Sequence, residues 1–382
     1  MESTPRSSIR TTASWAIPAV LIALVVAVLL TTLFNAGGSG GRLVAAPPIS
    51  TIAGSPVARV EITPVDVSQL QNPPVQVTPL VTAIPTPTPT PNPVETVPQS
   101  PEQDAARALL NAQSGVYGFV VLAADGSVVS AYNSFTPFVT ASTYKLILMA
   151  DIYRRVEIGE LDLEEWIYLD PALFDASGGD MYFSWEQAGG SATVSDLLYA
   201  VGAWSSNVAA LTLLPYTTPE DLRATAASIG MIRTYLFVDP WDVPYWPPKP
   251  GIDSSPEDIS IAREYIENSA TEGPVNLTTP YDMAVYNLGL LNGTVISPWV
   301  SEQILNILWD QAIRDRLPVY LWDIPVANKP GNLVGVVNDV GLIFPPNGAR
   351  AVAALSEGVP DDVHATSILQ LLGLIASGST DI

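Results

Sequence analysis

The decapeptide Ile84–Pro93, IPTPTPTPNP, is a stretch of this chain that can form neither a helix nor a central strand. Each proline lacks the N–H that a helix interior or central strand requires, and the segment is expected to run as extended polyproline II. Gly and Ser crowd residues 35–42, and only Val57–Leu70 alternates well enough for one short strand. Residues 35–102 therefore read as a disordered Pro/Thr/Gly-rich linker, which leaves folding to residues 103–382. Upstream, residues 15–34 (WAIPAVLIALVVAVLLTTLF) run for 20 residues without a charge. That is enough to cross about 30 Å of hydrocarbon as a helix. Arg6 and Arg10 precede it and favour a cytoplasmic N-terminus. The run is longer than the roughly 7–15 apolar residues of a cleaved signal peptide. The expectation is a cytoplasmic tail (1–14), a transmembrane signal anchor (15–34) and a single-pass cell-membrane protein whose folded domain is extracytoplasmic.

Charge and rare residues remove several classes of function. Lys and Arg number 16 against 38 Asp and Glu, a net charge of −22, which is a poor footprint for nucleic acid. One His and no Cys exclude zinc fingers, iron–sulfur sites, His-rich zinc hydrolases and disulfides. No metal or other cofactor is expected, although a site of carboxylates alone stays open. Of the acidic residues, 33 lie beyond residue 102, which reads as solubility.

Within 103–382, residues 102–113 have helical spacing, and Val116–Asn133 holds two apolar alternating runs around Asp125-Gly126, a hairpin signal. Helices are predicted over Ser142–Glu160, over Thr193–Leu214 (capped by Thr193 or Ser195), over Pro280–Leu291 and over Pro298–Arg316. Strand-like runs follow at Leu333–Phe344 and Ala349–Leu355, turned by Pro345-Pro346-Asn347-Gly348. A closing helix spans Asp361–Ala376. Early hairpin and late strands are expected to share one sheet in an α+β layer architecture with a helical insert.

The chain has only three lysines, Lys145, Lys249 and Lys329, beside 13 arginines. Surface charge is not made with lysine here, and an amine, unlike a guanidinium, can lose its proton when buried. Lys249, between prolines, reads as solvent-exposed. Lys145 closes Ser142-Thr143-Tyr144-Lys145, which on a helix sets the Ser142 hydroxyl and the amine about one turn apart. A lysine of lowered pKa can take a serine proton. Taken alone the match is equally a capped helix start. Lys329 precedes Pro330 and Gly331, where backbone can approach a ligand closely, or which form a plain edge turn. Ser205, Ser206 and Asn207 interrupt an apolar helical pattern, as a kink with back-bonded serines would.

In this order, Ser142-x-x-Lys145, Ser205-x-Asn207 and Lys329-x-Gly331 resemble the three-part signature of class A serine β-lactamases and penicillin-binding proteins. The flanks resemble the family too, in Thr140–Leu146, in Thr193–Leu198 followed by Ser205–Ala210, and in Thr278–Ala284; the likeness covers about 103–378. It implies the β-lactamase/transpeptidase-like fold, an antiparallel sheet flanked by helices with an all-α subdomain, and makes 103–382 the catalytic domain. It implies Ser142 as acylated nucleophile, Lys145 as its proton acceptor, and Ser205 as relay to the leaving nitrogen with Lys329 behind it. It implies Asn207 on the substrate amide, and an oxyanion hole from the Ser142 and Asn332 amides beside Gly331. His364 matches no role and is expected to be structural.

Two positions depart from the pattern. Pro330 replaces a Thr or Ser whose hydroxyl meets the substrate carboxylate, and Ser206 replaces an Asp. Class A enzymes activate the deacylating water with a Glu–Asn pair. The loop 239–277 is long and offers Glu264 with Asn268, or Glu272 with Asn276. The expected activity is cleavage of a β-lactam amide through an acyl-enzyme on Ser142. Two other readings stay open, a penicillin-binding D,D-peptidase acting on peptidoglycan-type peptides and a catalytically silent cell-wall module. Partners are a small-molecule substrate and, through the N-terminal helix, the membrane; the protein is expected to be a monomer.

Overall fold

A computed structural model describes residues 99–177, 180–238 and 275–380. The anchor at 15–34, the proline-rich segment, the strand suggested at 57–70, Lys249, Glu264, Asn268 and Glu272 lie outside them. Among the described residues no helix is long and apolar enough to cross a membrane.

The sheet is anchored by central strands that are buried on both faces. Helix α1 (Pro101–Asn111) leads into β1 (Val116–Ala123) and β2 (Val128–Tyr132), joined at Asp125-Gly126. Asp125 Oδ1 accepts from the Ser127 N–H at 2.9 Å, and Gly126 takes a φ of +84° that a side chain would oppose. Two further strands, β8 (Val326–Leu333) and β9 (Val336–Ile343), and then β10 (Arg350–Glu357) complete an antiparallel five-stranded sheet in the order β2-β1-β10-β9-β8. Along β1, Phe119 and Val121 pack into one core with α1 and the closing helix α9 (Asp362–Ser377), while Val120 and Leu122 enter the other. A strand buried on both sides reads as the continuous run seen at Val116–Ala123.

The second core holds the helices packed around the site. These are α2 (Lys145–Glu157), α4 (Val194–Ala203), α5 (Asn207–Leu213), α7 (Pro280–Asn292) and α8 (Pro298–Trp309). Smaller elements fill the gaps: β3 (Phe138–Val139), β4 (Trp166–Tyr168), α3 (Pro171–Ser177), β5 (Ser191–Thr193), α6 (Pro219–Ile229), β6 (Tyr235–Val238) and β7 (Val275–Thr278). Helix α2 is buried from Lys145 to Tyr153, the pattern of a central helix rather than a surface one. The two edges of the main sheet differ. At β2, the Gln103 side chain accepts from the Ala131 N–H at 2.7 Å and donates to its carbonyl at 2.9 Å. At β8, the edge strand carries Pro330.

Three expectations need correction. The helix predicted over Thr193–Leu214 is two helices: α4, capped by Thr193, ends at Trp204, and Ser206 caps α5 by accepting from the Ala209 N–H at 2.9 Å. The helix predicted to Arg316 stops at Trp309, after which the Gln311 amide ties the chain to Gly202 O (2.8 Å) and Asn328 O (3.2 Å). The run Leu333–Phe344 is the end of β8 and the whole of β9, divided where Gly335 turns at φ +71°.

Candidate active site

Ser142 sits in a single 3₁₀ turn, Ala141–Tyr144, that leads into α2. Its partners arrive from two other directions, the α4–α5 break and the edge strand β8. Ser142, Ser205, Asn207, Pro330, Gly331 and Asn332 line one cleft of about 190 Å³. Lys145 and Lys329 are 1% and 0% exposed, so both cations are placed where water cannot solvate them.

Both lysines converge on Ser205. Lys145 Nζ donates to the Ser205 carbonyl at 2.6 Å and to Asn207 Oδ1 at 2.7 Å. Lys329 Nζ donates to Ser205 Oγ at 2.7 Å and to the Pro330 carbonyl at 3.0 Å. Ser205 presents both oxygens because its backbone is left-handed, at φ +56°. That conformation costs a non-glycine residue on the order of 1 kcal/mol and persists only where surroundings enforce it. Burial pulls the Lys145 amine down to about 7, opposed by the negative charge of Asp180. Lys329 is pulled well below the ordinary lysine value, first by burial and then by the charge of Lys145.

Strand β8 continues past the nucleophile. A Cβ on Gly331 would lie 3.0 Å from Ser142 N and 3.1 Å from Thr140 O, so glycine is what lets strand and turn approach this closely. Beneath Lys329, buried Asn328 donates to both oxygens of buried Asp339, at 2.9 and 3.1 Å, and burial pushes Asp339 up to about 6. Asn332 is exposed at the cleft rim, where its Oδ1 accepts from Arg316 Nη2.

The seven residues singled out from sequence thus meet at one place, with Ser206 beside them. His364 does not join them. It is exposed on the first turn of α9, its Nε2 2.8 Å from Gln113 Oε1. Asn276 spends its side-chain oxygen on the Phe237 N–H at 2.7 Å, which fixes β6 against β7. Sequence reasoning missed Asp180, which lines the cleft and binds the first turn of α5. Among the described residues no cluster of three or more His, Cys, Asp or Glu could hold a metal.

Solved structures of known proteins share this fold. The structure of a β-lactamase from Sphaerobacter thermophilus is 26% identical, with a TM-score of 0.57 over 74% of this chain and 98% of that one. The class A β-lactamase of the last common ancestor of Gram-negative bacteria is 25% identical, with a TM-score of 0.57 over 73% and 99%. PBP-A, at 18% identity, shares the fold, with a TM-score of 0.58 over 74% and 98%. No curated protein matches the chain. The model of the β-lactamase enzyme family matches residues 101–378, from the start of α1 to the end of α9. The chain belongs to that family and is a serine hydrolase of the β-lactamase/transpeptidase type.

Proposed function

We propose that this enzyme opens a β-lactam amide through a covalent acyl-enzyme on Ser142. The observation that carries the reading is the meeting of two buried lysines on the two oxygens of Ser205, in the cleft that Ser142 lines. A neutral amine has two N–H donors and one lone pair. Lys145 has two acceptors, Ser205 O and Asn207 Oδ1, which leaves its lone pair for the Ser142 proton. With its pKa near 7, about half of the amine is neutral at neutral pH. Ser142 Oγ attacks the carbonyl carbon and its proton passes to Lys145. The developing oxyanion is held by the Ser142 and Asn332 amides, at the point where Gly331 lets β8 close on the turn. As the C–N bond breaks, Ser205 Oγ, held by Lys329, gives its proton to the leaving nitrogen and takes back the one Lys145 received from Ser142, which returns Lys145 to the neutral amine. Water then hydrolyses the ester; Glu264 is our first candidate for the base that activates it, and Glu272 the second.

The domain comprises 103–382, carried outside the cytoplasm on the 35–102 linker by an anchor at 15–34, and acts as a monomer. The experiment mixes the purified protein with a fluorescent penicillin and follows intact mass, beside Ser142→Ala. An adduct on Ser142 that decays within minutes supports the hydrolase. A stable adduct indicates a penicillin-binding peptidase, and no adduct at high ligand rejects β-lactam chemistry.

A further inference from the structure

Ser206 stands where the family pattern carries an aspartate, and a carboxylate reaches the same spot from elsewhere. Asp180 lies in the loop between α3 and β5. Its Oδ2 accepts from Ser206 Oγ at 2.8 Å, from Asn207 N at 2.9 Å and from Val208 N at 3.0 Å. Its Oδ1 accepts from the N–H groups of Tyr182 and Phe183, at 2.9 and 3.0 Å. One side chain therefore ties its own turn to the first turn of α5. The helix-start N–H groups it satisfies would otherwise be orphans, and bonds to an ionised acceptor are the stronger kind. That turn bears Asn207, the anchor of Lys145, and follows directly on the left-handed Ser205.

We propose that Asp180 is the positioning residue of this site, a carboxylate relocated 26 residues upstream of Ser206 that locks Asn207 and Ser205 in place and so fixes Lys145. Its effect on acylation rests on the Ser142 reading above; its effect on Lys145 does not. Several other charged or titratable groups surround this cluster. Lys329 on β8 has Asp339 and Arg316 as charged neighbours. Tyr286 of α7 donates to Leu146 O, Tyr144 closes the nucleophile turn, and Tyr182 flanks Asp180. Asp180 is the anion that opposes the burial of Lys145.

The test exchanges the carboxylate between the two positions. Wild type, Asp180→Asn, Ser206→Asp and the double variant Asp180→Ser/Ser206→Asp are compared as full chains. With lysine labelled at Cε, the three lysines give three NMR signals, and Lys145 is assigned by the signal lost in Lys145→Met. In Asp180→Asn the Lys145 midpoint is expected to fall by roughly half a unit or more. Acylation by a fluorescent penicillin is expected to slow about tenfold or more. Ser206→Asp sets two carboxylates against one another and should also be impaired, whereas the double variant should recover to within about threefold of wild type, a non-additive pattern reserved for groups in contact. An unchanged Lys145 midpoint in Asp180→Asn, or a double variant no better than the worse single, overturns the proposal. If Asp180→Asn does not fold, the exchange decides alone: a folded double variant with the wild-type Lys145 midpoint supports it, and an unfolded one rejects it. Should wild type take no penicillin, the Ser142 reading fails while the NMR titration still decides on Asp180.

Discussion

Replacing Lys145 by methionine separates what the buried amine does for catalysis from what it costs the fold. The amine is 1% exposed and is drawn down to about 7 from 10.5. Between those values the unfolded chain binds more protons than the folded one, so stability rises with pH across that window. Below pH 7 the folded state carries the full penalty of a buried ammonium, on the order of 4 to 5 kcal/mol. Methionine removes that penalty but leaves Ser205 O and Asn207 Oδ1 without a donor, at about 1–3 kcal/mol each. The variant should therefore match wild type at pH 6 and fall behind it at pH 10. In thermal scans, the Tm difference between the two proteins should change by about 10 °C from pH 6 to pH 10. Relief of Lys329 from its cationic neighbour acts in the same direction. Acylation should vanish in the variant, and in wild type its rate should rise about tenfold per pH unit up to pH 7 and then level. A Tm difference that is constant with pH, or a rate still climbing at pH 10, would refute an amine poised near neutrality.

Three other perturbations probe separate parts of the structure. Gly331→Ala places a Cβ 3.0 Å from Ser142 N, 3.1 Å from Thr140 O and 3.2 Å from Ala141 Cβ. The nucleophile turn must yield, so acylation should slow about 10–100-fold with a small loss in Tm, and an unchanged rate would reject the close approach as functional. Pro330→Thr adds a hydroxyl to the cleft wall and should lower KM for carboxylate-bearing β-lactams about tenfold, with kcat little changed; an equal KM sinks that reading. Burial pushes Asp282 up to about 6 from 3.8, so its folded state is most favoured in acid and loses stability as pH rises from about 4 to 6. Asp282→Asn should accordingly improve relative to wild type by about 2–3 kcal/mol between pH 4 and pH 8 in denaturant titrations, and a constant difference would count against it.

What sequence could reveal here depended on how local each feature is. Ser142 and Lys145 share a turn, and lysine is so rare in this chain that Lys329 stood out by type alone. The hairpin at Asp125-Gly126 and the closing helix carry their signals within a few residues. The α4–α5 break did not, because apolar spacing continues from Val201 to Val208 across it and the left-handed residue is a serine rather than a glycine. Strand β8 was hidden by its own chemistry: Asn328, Lys329 and Pro330 look like a turn until Asp339 and Ser205 satisfy them from other elements. Helix α6 was overlooked although Thr218 caps it, Pro219 opens it and Gly230 closes it. Asp180 follows two glycines and reads as a turn residue; the site partners of its Oδ2 lie 26–28 positions away.

The two edges of the main sheet bear on how copies of this protein meet one another in a crowded solution. An open strand edge is a template for a second chain, and long edges invite aggregation. At β2 the template is already used, since Gln103 pairs with both backbone groups of Ala131 as a neighbouring strand would. At β8 the edge contains a proline without an N–H and a lysine turned inward. Pro330 thus takes one N–H donor away from that edge, and Pro330→Thr would return a donor together with its hydroxyl.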